Sequence, residues 1–336
     1  MSPMPLHIQQ NMDMRHLNTL RLPSIAAQYC RVDCEETLIH AVAHAREQGL
    51  RLQVLGGGSN TLLPARLDGL TIHMDIAGIE LSGSQLRVGA GIPWHAVVQH
   101  ALQQGLFGLE NLALIPGSTG AAPVQNIGAY GREIADVFVG LEALDLRTGS
   151  MTRFSREQCA FGYRDSIFKQ QPARYVITRV TLGLEAGFQP LLVYQGVIDE
   201  VREPVTADGV FDAICRIRSR KLPQEPNVGS FFKNPVVDQD TVSALAARFP
   251  ELSIMPQQGG MKMKLSAAQL IEDSGLKGDR VGGAMVSPQH SLVIVNTGNA
   301  TMENVVQLAE QIQRKVYENC GVLLETEPQQ LTSISL

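Results

Sequence analysis

At 336 residues and 36.5 kDa the chain has room for two or three domains, and 44% hydrophobic with 18% charged residues excludes wholesale disorder. Lys and Arg number 28 against 33 Asp and Glu, a net charge of −5 without the basic excess that nucleic acids or anionic membranes require. Glycine is enriched, at 31 residues or about 9% against an average near 7%, and the excess falls in a few turns.

In chain order, the first expected element is a helix over 35–48. Asp33 and Glu36 stand in a D-x-x-E capping relation, Leu38, Val42 and Ala45 share one face, and Gly49 ends it. Residues 50–55 alternate, with Leu50, Leu52 and Val54 set against Arg51 and Gln53, which predicts a half-buried strand. It runs straight into Gly56-Gly57-Gly58-Ser59-Asn60-Thr61. A strand near 86–90 leads to a helix opened by Pro93, with Trp94, Val97, Val98, Ala101 and Leu102 inward and Gly105 as its stop. Residues 114–131 are turn chemistry throughout. Beyond them, 140–152 and 175–184 read as strands, and 221–226 as a boundary or crossing loop. A short helix is expected over 266–274 with an S-x-x-Q cap, then a strand over 291–296, a helix over 303–319 and a last strand over 322–325. The class is α+β: a glycine-looped N-terminal two-thirds and a C-terminal α/β lobe.

Cys30, Cys34, Cys159, Cys215 and Cys320 are odd in number and form no C-x-x-C pair, so neither a disulfide framework nor a zinc knuckle is expected. His40 and His44 share a helix face but lack a third ligand, so no metal is assigned. Residues 1–14 lack the apolar run of a signal peptide, and no 18-residue apolar stretch exists. A soluble, cytoplasmic chain is the expectation.

Glycines after a strand let backbone N–H groups approach phosphate oxygens, and Ser59 and Asn60 add side-chain donors. Position 61 is Thr where a Rossmann fingerprint has its third Gly, and no G-x-x-x-x-G-K-[ST] occurs. A second loop, Ile115-Pro-Gly-Ser-Thr-Gly-Ala-Ala-Pro-Val-Gln-Asn-Ile-Gly-Ala-Tyr-Gly131, is equally small and rich in hydroxyls and amides. Two such loops can enclose a long diphosphate ligand. Together with Phe161-Gly-Tyr-Arg-Asp-Ser166, Arg220-Lys-Leu-Pro223 and Gly229-Ser-Phe-Phe-Lys-Asn-Pro235, they closely resemble the UDP-N-acetylenolpyruvoylglucosamine reductase (UDP-N-acetylmuramate dehydrogenase) family, of the longer tyrosine-loop type. The matching segments run in family order over nearly the whole chain.

The resemblance implies a vanillyl-alcohol-oxidase (PCMH)-type FAD-binding module of two α+β subdomains, 1–66 and 67–213. A substrate-binding domain, 214–325, follows, and a C-terminal strand within 326–336 returns to the active site. It implies non-covalent FAD as cofactor and NADPH as co-substrate. The reaction would be reduction of the enolpyruvyl group of UDP-N-acetylglucosamine enolpyruvate to UDP-N-acetylmuramate, in peptidoglycan precursor synthesis. The flavin set would be Gly56, Gly57, Gly58, Ser59, Asn60, Thr61, Pro116, Gly117, Ser118, Gly120, Ala121, Gln125, Asn126, Gly128, Ala129 and Tyr130. Arg164 would hold a carboxylate, Ser230 would donate the proton, and Glu327 would be the third catalytic group. Here the chain departs from the family's usual Pro-Glu-Val-Arg: Leu324-Glu-Thr-Glu-Pro-Gln-Gln-Leu331 puts Thr326 for the Pro and Gln329 for the Arg. Glu325 is the competing carboxylate if the register slips by two. Tyr163, Tyr194, Lys221, Asn234 and His290 would bind substrate, and a monomer without nucleic-acid or membrane partners is expected. Other flavin oxidoreductases, and a binding protein that has lost chemistry, remain as alternatives. The first loop lacks the His or Cys of covalent flavin attachment, and Arg164 and Ser230 are both present.

Overall fold

The computed structural model describes residues 6–256, 262–331 and 333–336; the parts of the expected segments at 1–5, 257–261 and 332 lie outside it. The first sheet is built from β1 (Ile8–Asp13), β2 (Ile25–Val32), β3 (Leu52–Leu55) and β5 (Arg66–Met74), with β4 (Thr61–Leu62) outside it. Its order is β1-β2-β5-β3, with β2, β5 and β3 parallel and β1 antiparallel at the edge. Helix α1 (Glu35–Glu47) covers it, burying Leu38, Ala41, Val42 and Ala45. The cap differs from expectation: the thiol of Cys34, not Asp33, accepts the Thr37 amide, at 3.5 Å, while Asp33 takes the Thr37 hydroxyl. Gln53 is fully buried rather than outward. The C-terminal segment covers that side, and the Gln53 amide donates to Ser333 Oγ and Asp68 O.

The second sheet is antiparallel, ordered β11-β10-β12-β7-β6. Its strands are β6 (Ile79–Ser82), β7 (Gln85–Gly89), β10 (Phe138–Asp145), β11 (Ser150–Ser155) and β12 (Tyr175–Gly183), and a small hairpin of β8 (Gly128–Ala129) and β9 (Arg132–Glu133) precedes β10. The single strand expected over 140–152 is thus a hairpin. Asp145 Oδ1 accepts the Arg147 amide at 2.8 Å and Gly149 takes φ +73°, which turns the chain between β10 and β11. Helices α2 (Trp94–Gln103), α3 (Ile167–Gln170), α4 (Gln195–Ile198) and α5 (Ala207–Lys221) pack around it.

The third region holds the sheet β13-β19-β18-β17, from β13 (Asn227–Ser230), β17 (Arg280–Val281), β18 (Ala284–Val286) and β19 (Val293–Asn296). A smaller sheet joins β14 (Val236–Val237), β15 (Ile254–Pro256) and β16 (Met263–Leu265). Helices α6 (Gln239–Ala246), α7 (Ala267–Asp273) and α8 (Met302–Cys320) complete it. The expected S-x-x-Q cap occurs here, with Ser266 accepting the Gln269 amide; α8 ends at Gly321 in the left-handed region.

Two boundaries differ from the expected division. Strand β5 continues through 66/67, with Leu70, Ile72 and Met74 in the core beneath α1. Helix α5 continues through 213/214 and buries Val210, Ile214 and Ile217 on the second core. The change of core falls after Lys221, where Phe231, Leu270 and Ile312 begin another cluster. Residues 322–325 form no strand; the last strand is β20 (Gln329–Gln330), parallel to β4. No helix among the described residues is long and apolar enough to cross a membrane.

Candidate active site

Strand β3 ends at Leu55 and delivers residues 56–60 to a cleft of about 260 Å³, where they face the second loop across a very short gap. A Cβ on Gly57 would stand 2.9 Å from the Gly117 Cα, so only glycine lets the two backbones meet. Gly58 has φ +58° and would drive a Cβ into the Leu17 carbonyl. The loops are stitched together: Ser59 Oγ donates to Pro116 O at 3.1 Å, and Asn60 Nδ2 donates to Gln125 Oε1 at 2.6 Å.

Their carbonyls are spent inward. Gly58 O accepts from the Thr19 amide, Asn60 O from Gln329, Gly117 O from Trp94 and Ser118 O from Ala121. Among the described residues, no acceptor takes the amides of Gly57, Gly58, Ser59, Asn60, Gly117 or Ser118. A cluster of free N–H groups with their carbonyls tied back is an anion receptor, and it fits the diphosphate of FAD. Gly56, Thr61, Pro116, Gly120, Ala121 and Gln125 line the same cleft. Its apolar wall comes from Val54, Met74, Trp94, Phe168, Tyr175 and Ile334, which suits a flat aromatic ring.

Four of the expected flavin positions do not line it. Asn126 is 1% exposed and φ +45°, and its side chain is consumed by Glu133, Gly162 O and the Ala135 amide, so it braces the loop. Gly128 and Ala129 form β8, and the Gly128 carbonyl accepts from Arg164 Nη2 at 2.7 Å. Tyr130 stands edge-on to Tyr194, 5.9 Å between ring centres, with its hydroxyl against the buried Arg218.

Arg164 follows Tyr163 in a left-handed residue, φ +54°, closed by reciprocal Gly162–Asp165 backbone bonds. Its Nε lies 3.1 Å from Glu327 Oε1, and both side chains are largely buried, at 19% and 14% exposure. Glu327 arrives through pairing at the C-terminal segment. The Glu327 amide donates to Phe231 O, Phe232 opposes Thr326, and the Lys233 amide donates to Glu325 O. This register sets Glu327 against Phe231, the residue after Ser230, and leaves Glu325 at the surface, where its carboxylate, 71% exposed, meets Lys233. Ser230 ends β13 after a bulge at Gly229, φ +75°, and is exposed. Burial raises the Tyr163 phenol above its ordinary range, with Arg164 opposing, and the hydroxyl rests on the Asn234 amide. Lys264 stands 5.0 Å over the Tyr163 ring, and burial with Arg164 nearby lowers its ammonium.

The remaining expected positions are more dispersed. Asn234 Oδ1 accepts the Ala267 amide that starts α7. Lys221, exposed at the end of α5, lies near His290, whose imidazole is lowered by burial and then by Lys221 and Lys277. Sequence reasoning did not reach Lys169 or Lys264, and it expected 326–336 at the active site from the resemblance alone, without assigning a cofactor wall to Gln329, Leu331 and Ile334. The last three carry no local signal, because β20 acquires its place only by pairing with β4.

A family model for an FAD binding domain matches residues 26–155, and one for the C-terminal domain of UDP-N-acetylenolpyruvoylglucosamine reductase matches residues 221–331. The Pseudomonas putida protein of that name is 44% identical over 97% of this chain and 99% of its own length. That of Xanthomonas axonopodis pv. citri is 42% identical over 96% and 95%. The crystal structure of the Thermus caldophilus reductase superposes with a TM-score of 0.69 at 28% identity, covering 98% of this chain and all of that one. The first two sheets accordingly carry the FAD-binding module. With relatives above 40% identity along almost its entire length, the chain belongs to the UDP-N-acetylenolpyruvoylglucosamine reductase family.

Proposed function

We propose that this chain reduces the enolpyruvyl group of UDP-N-acetylglucosamine enolpyruvate to the lactyl ether of UDP-N-acetylmuramate, in peptidoglycan precursor synthesis. Bound FAD supplies the hydride transfer, from NADPH to the enolpyruvyl double bond. The free amides of the two glycine loops hold its diphosphate, and the apolar wall excludes water from its ring.

Addition at the enolpyruvyl methylene builds negative charge on the adjacent carbon and its carboxylate. The Arg164 guanidinium holds that carboxylate through its fork of donors. Glu327 fixes the guanidinium from the other side and keeps a buried cation compensated before substrate arrives. Ser230, at the exposed end of β13, hands its hydroxyl proton to the carbanionic carbon. Tyr163, Tyr194, Lys221 and Asn234 bind the nucleotide-sugar end, with His290 beside Lys221. The chain acts as a cytoplasmic monomer.

The observation that carries this reading is the Arg164–Glu327 pair, joined by backbone pairing to the strand of Ser230. Absorbance of the purified protein tests it. A yellow protein should bleach with NADPH and recover its colour on adding the enolpyruvyl UDP-sugar. A colourless protein, or one reoxidised only by oxygen, would refute the assignment.

A further inference from the structure

The wall of the glycine cleft is almost free of charge. Among its described lining residues, Lys169 is the one charged side chain, in a site built for a ligand that carries a diphosphate and an electron-accepting ring. Helix α3 delivers it rigidly. Ser166 Oγ donates to Val124 O at 2.6 Å, which clamps the start of α3 to the second loop, and Phe168 packs edge-on against Phe154 and Tyr175.

The ammonium donates to the Arg164 carbonyl at 3.0 Å, so it sits where the cofactor cleft meets the reacting cluster, not at the free amides of residues 57–60. The acids close to it are engaged elsewhere: Glu327 with Arg164, and Asp165 with the Gln170 amide at 2.7 Å. The other charges facing it are cations, Lys233 and Arg164. Burial and these cations depress its pKa, as expected of a charge lacking its counter-ion.

We propose that Lys169 is the cofactor-facing cation of this enzyme, placed to stabilise the negative charge that the FAD ring gains when it takes up a hydride. A hydride is two electrons and one proton, so a neutral ring that accepts one from NADPH becomes an anion by one unit, and NADP⁺ leaves. A fixed positive charge beside the ring favours the reduced form over the oxidised one. This inference rests on the FAD-binding reading above and assigns a task to a residue that neither substrate binding nor proton donation has used.

Lys169→Gln and Lys169→Met separate charge from hydrogen bonding, because glutamine can still donate to the Arg164 carbonyl. Dye-equilibrated reductive titration of the FAD-loaded proteins gives the midpoint potential, and titration of apoprotein gives the FAD affinity. Both variants should prefer reduced over oxidised FAD about tenfold less than wild type, a midpoint shift of roughly −30 mV for a two-electron couple. Lys169→Arg should stay near wild type. An unchanged potential in Lys169→Gln overturns the proposal. So does an equal loss of affinity for both redox states, which would assign Lys169 to the diphosphate. If Lys169→Met fails to fold, Lys169→Gln alone decides. Wild-type protein that binds no FAD would instead remove the underlying reading.

Discussion

The glycine cleft and the Arg164 cluster meet through hydrogen bonds from Lys169 to the Arg164 carbonyl and from Asn60 Nδ2 to the Glu327 carbonyl, yet they are built on opposite plans. The cleft binds with backbone: free amides, close-approaching glycines and an apolar wall. The cluster works with ionised side chains held in partial burial, Arg164 against Glu327 with Lys264 and Tyr163 above them. A cofactor that stays bound needs shape and dipoles that do not change during turnover. A substrate that gains and loses charge needs groups whose charge is available at the moment of reaction. The cleft should therefore fail through sterics and the cluster through chemistry.

Gly57→Val strikes the first plan hardest. Its Cβ would sit 2.9 Å from the Gly117 Cα, a backbone atom that cannot step aside, so the loops must separate. Protein purified from this variant should carry no flavin absorbance, and flavin content equal to wild type would show that the loops do not define the site. Ser230→Ala tests the second plan. Reduction by NADPH should stay near wild type, while reoxidation by the enolpyruvyl UDP-sugar slows about 10²–10⁴-fold, and Ser230→Cys recovers part of that rate. Stopped-flow flavin absorbance follows each half-reaction; equal losses in both would mean that Ser230 shapes the cofactor pocket.

Glu327→Gln should lower turnover by about 10²-fold, since it leaves Arg164 without its buried partner. Glu325→Gln should change it less than about twofold, because exposed pairs are worth ~0–1 kcal/mol. The reverse ranking would exchange the two carboxylates. The smallest effect belongs to scaffold alone. Cys34→Ser places a better cap at the start of α1 and should add about 0.5 kcal/mol, read as a melting temperature higher by roughly one or two degrees with activity unchanged. A lower melting temperature would mean that the thiol packs better than it caps.

What was legible in the chain follows the range of the interactions that decide it. Helices α7 and α8 carry their own stops in Gly275 and Gly321, and their caps lie within three residues of the first turn. The closely packed glycines at 56–58 and 116–131 could be read because left-handed residues and close backbone approach leave few other choices. Gln53 reads as outward on alternation, but its cover comes from residue 333, which no local window sees. The competition between Glu325 and Glu327 could be narrowed by counting from Gly321. Which of them meets Arg164 depends on residues 231–233 lying opposite 325–327. Lys169 gives no signal as a charge five places after Arg164, because its meaning comes from the absence of other charges across lining segments far apart in the chain.

The pairing of β20 with β4, and of Gln53 with Ser333 across 280 positions, has a temporal consequence. The wall of the cofactor cleft joins residues made early in synthesis to residues made near its end. Such non-local closure is slow, since the whole intervening chain must be ordered before the contact rewards it. A nascent chain can thus complete its first two sheets and still lack Gln329, Leu331 and Ile334 of the cleft. Flavin capture is then expected to follow the docking of residues 329–334, and flavin content would report that these two distant segments of the fold have met.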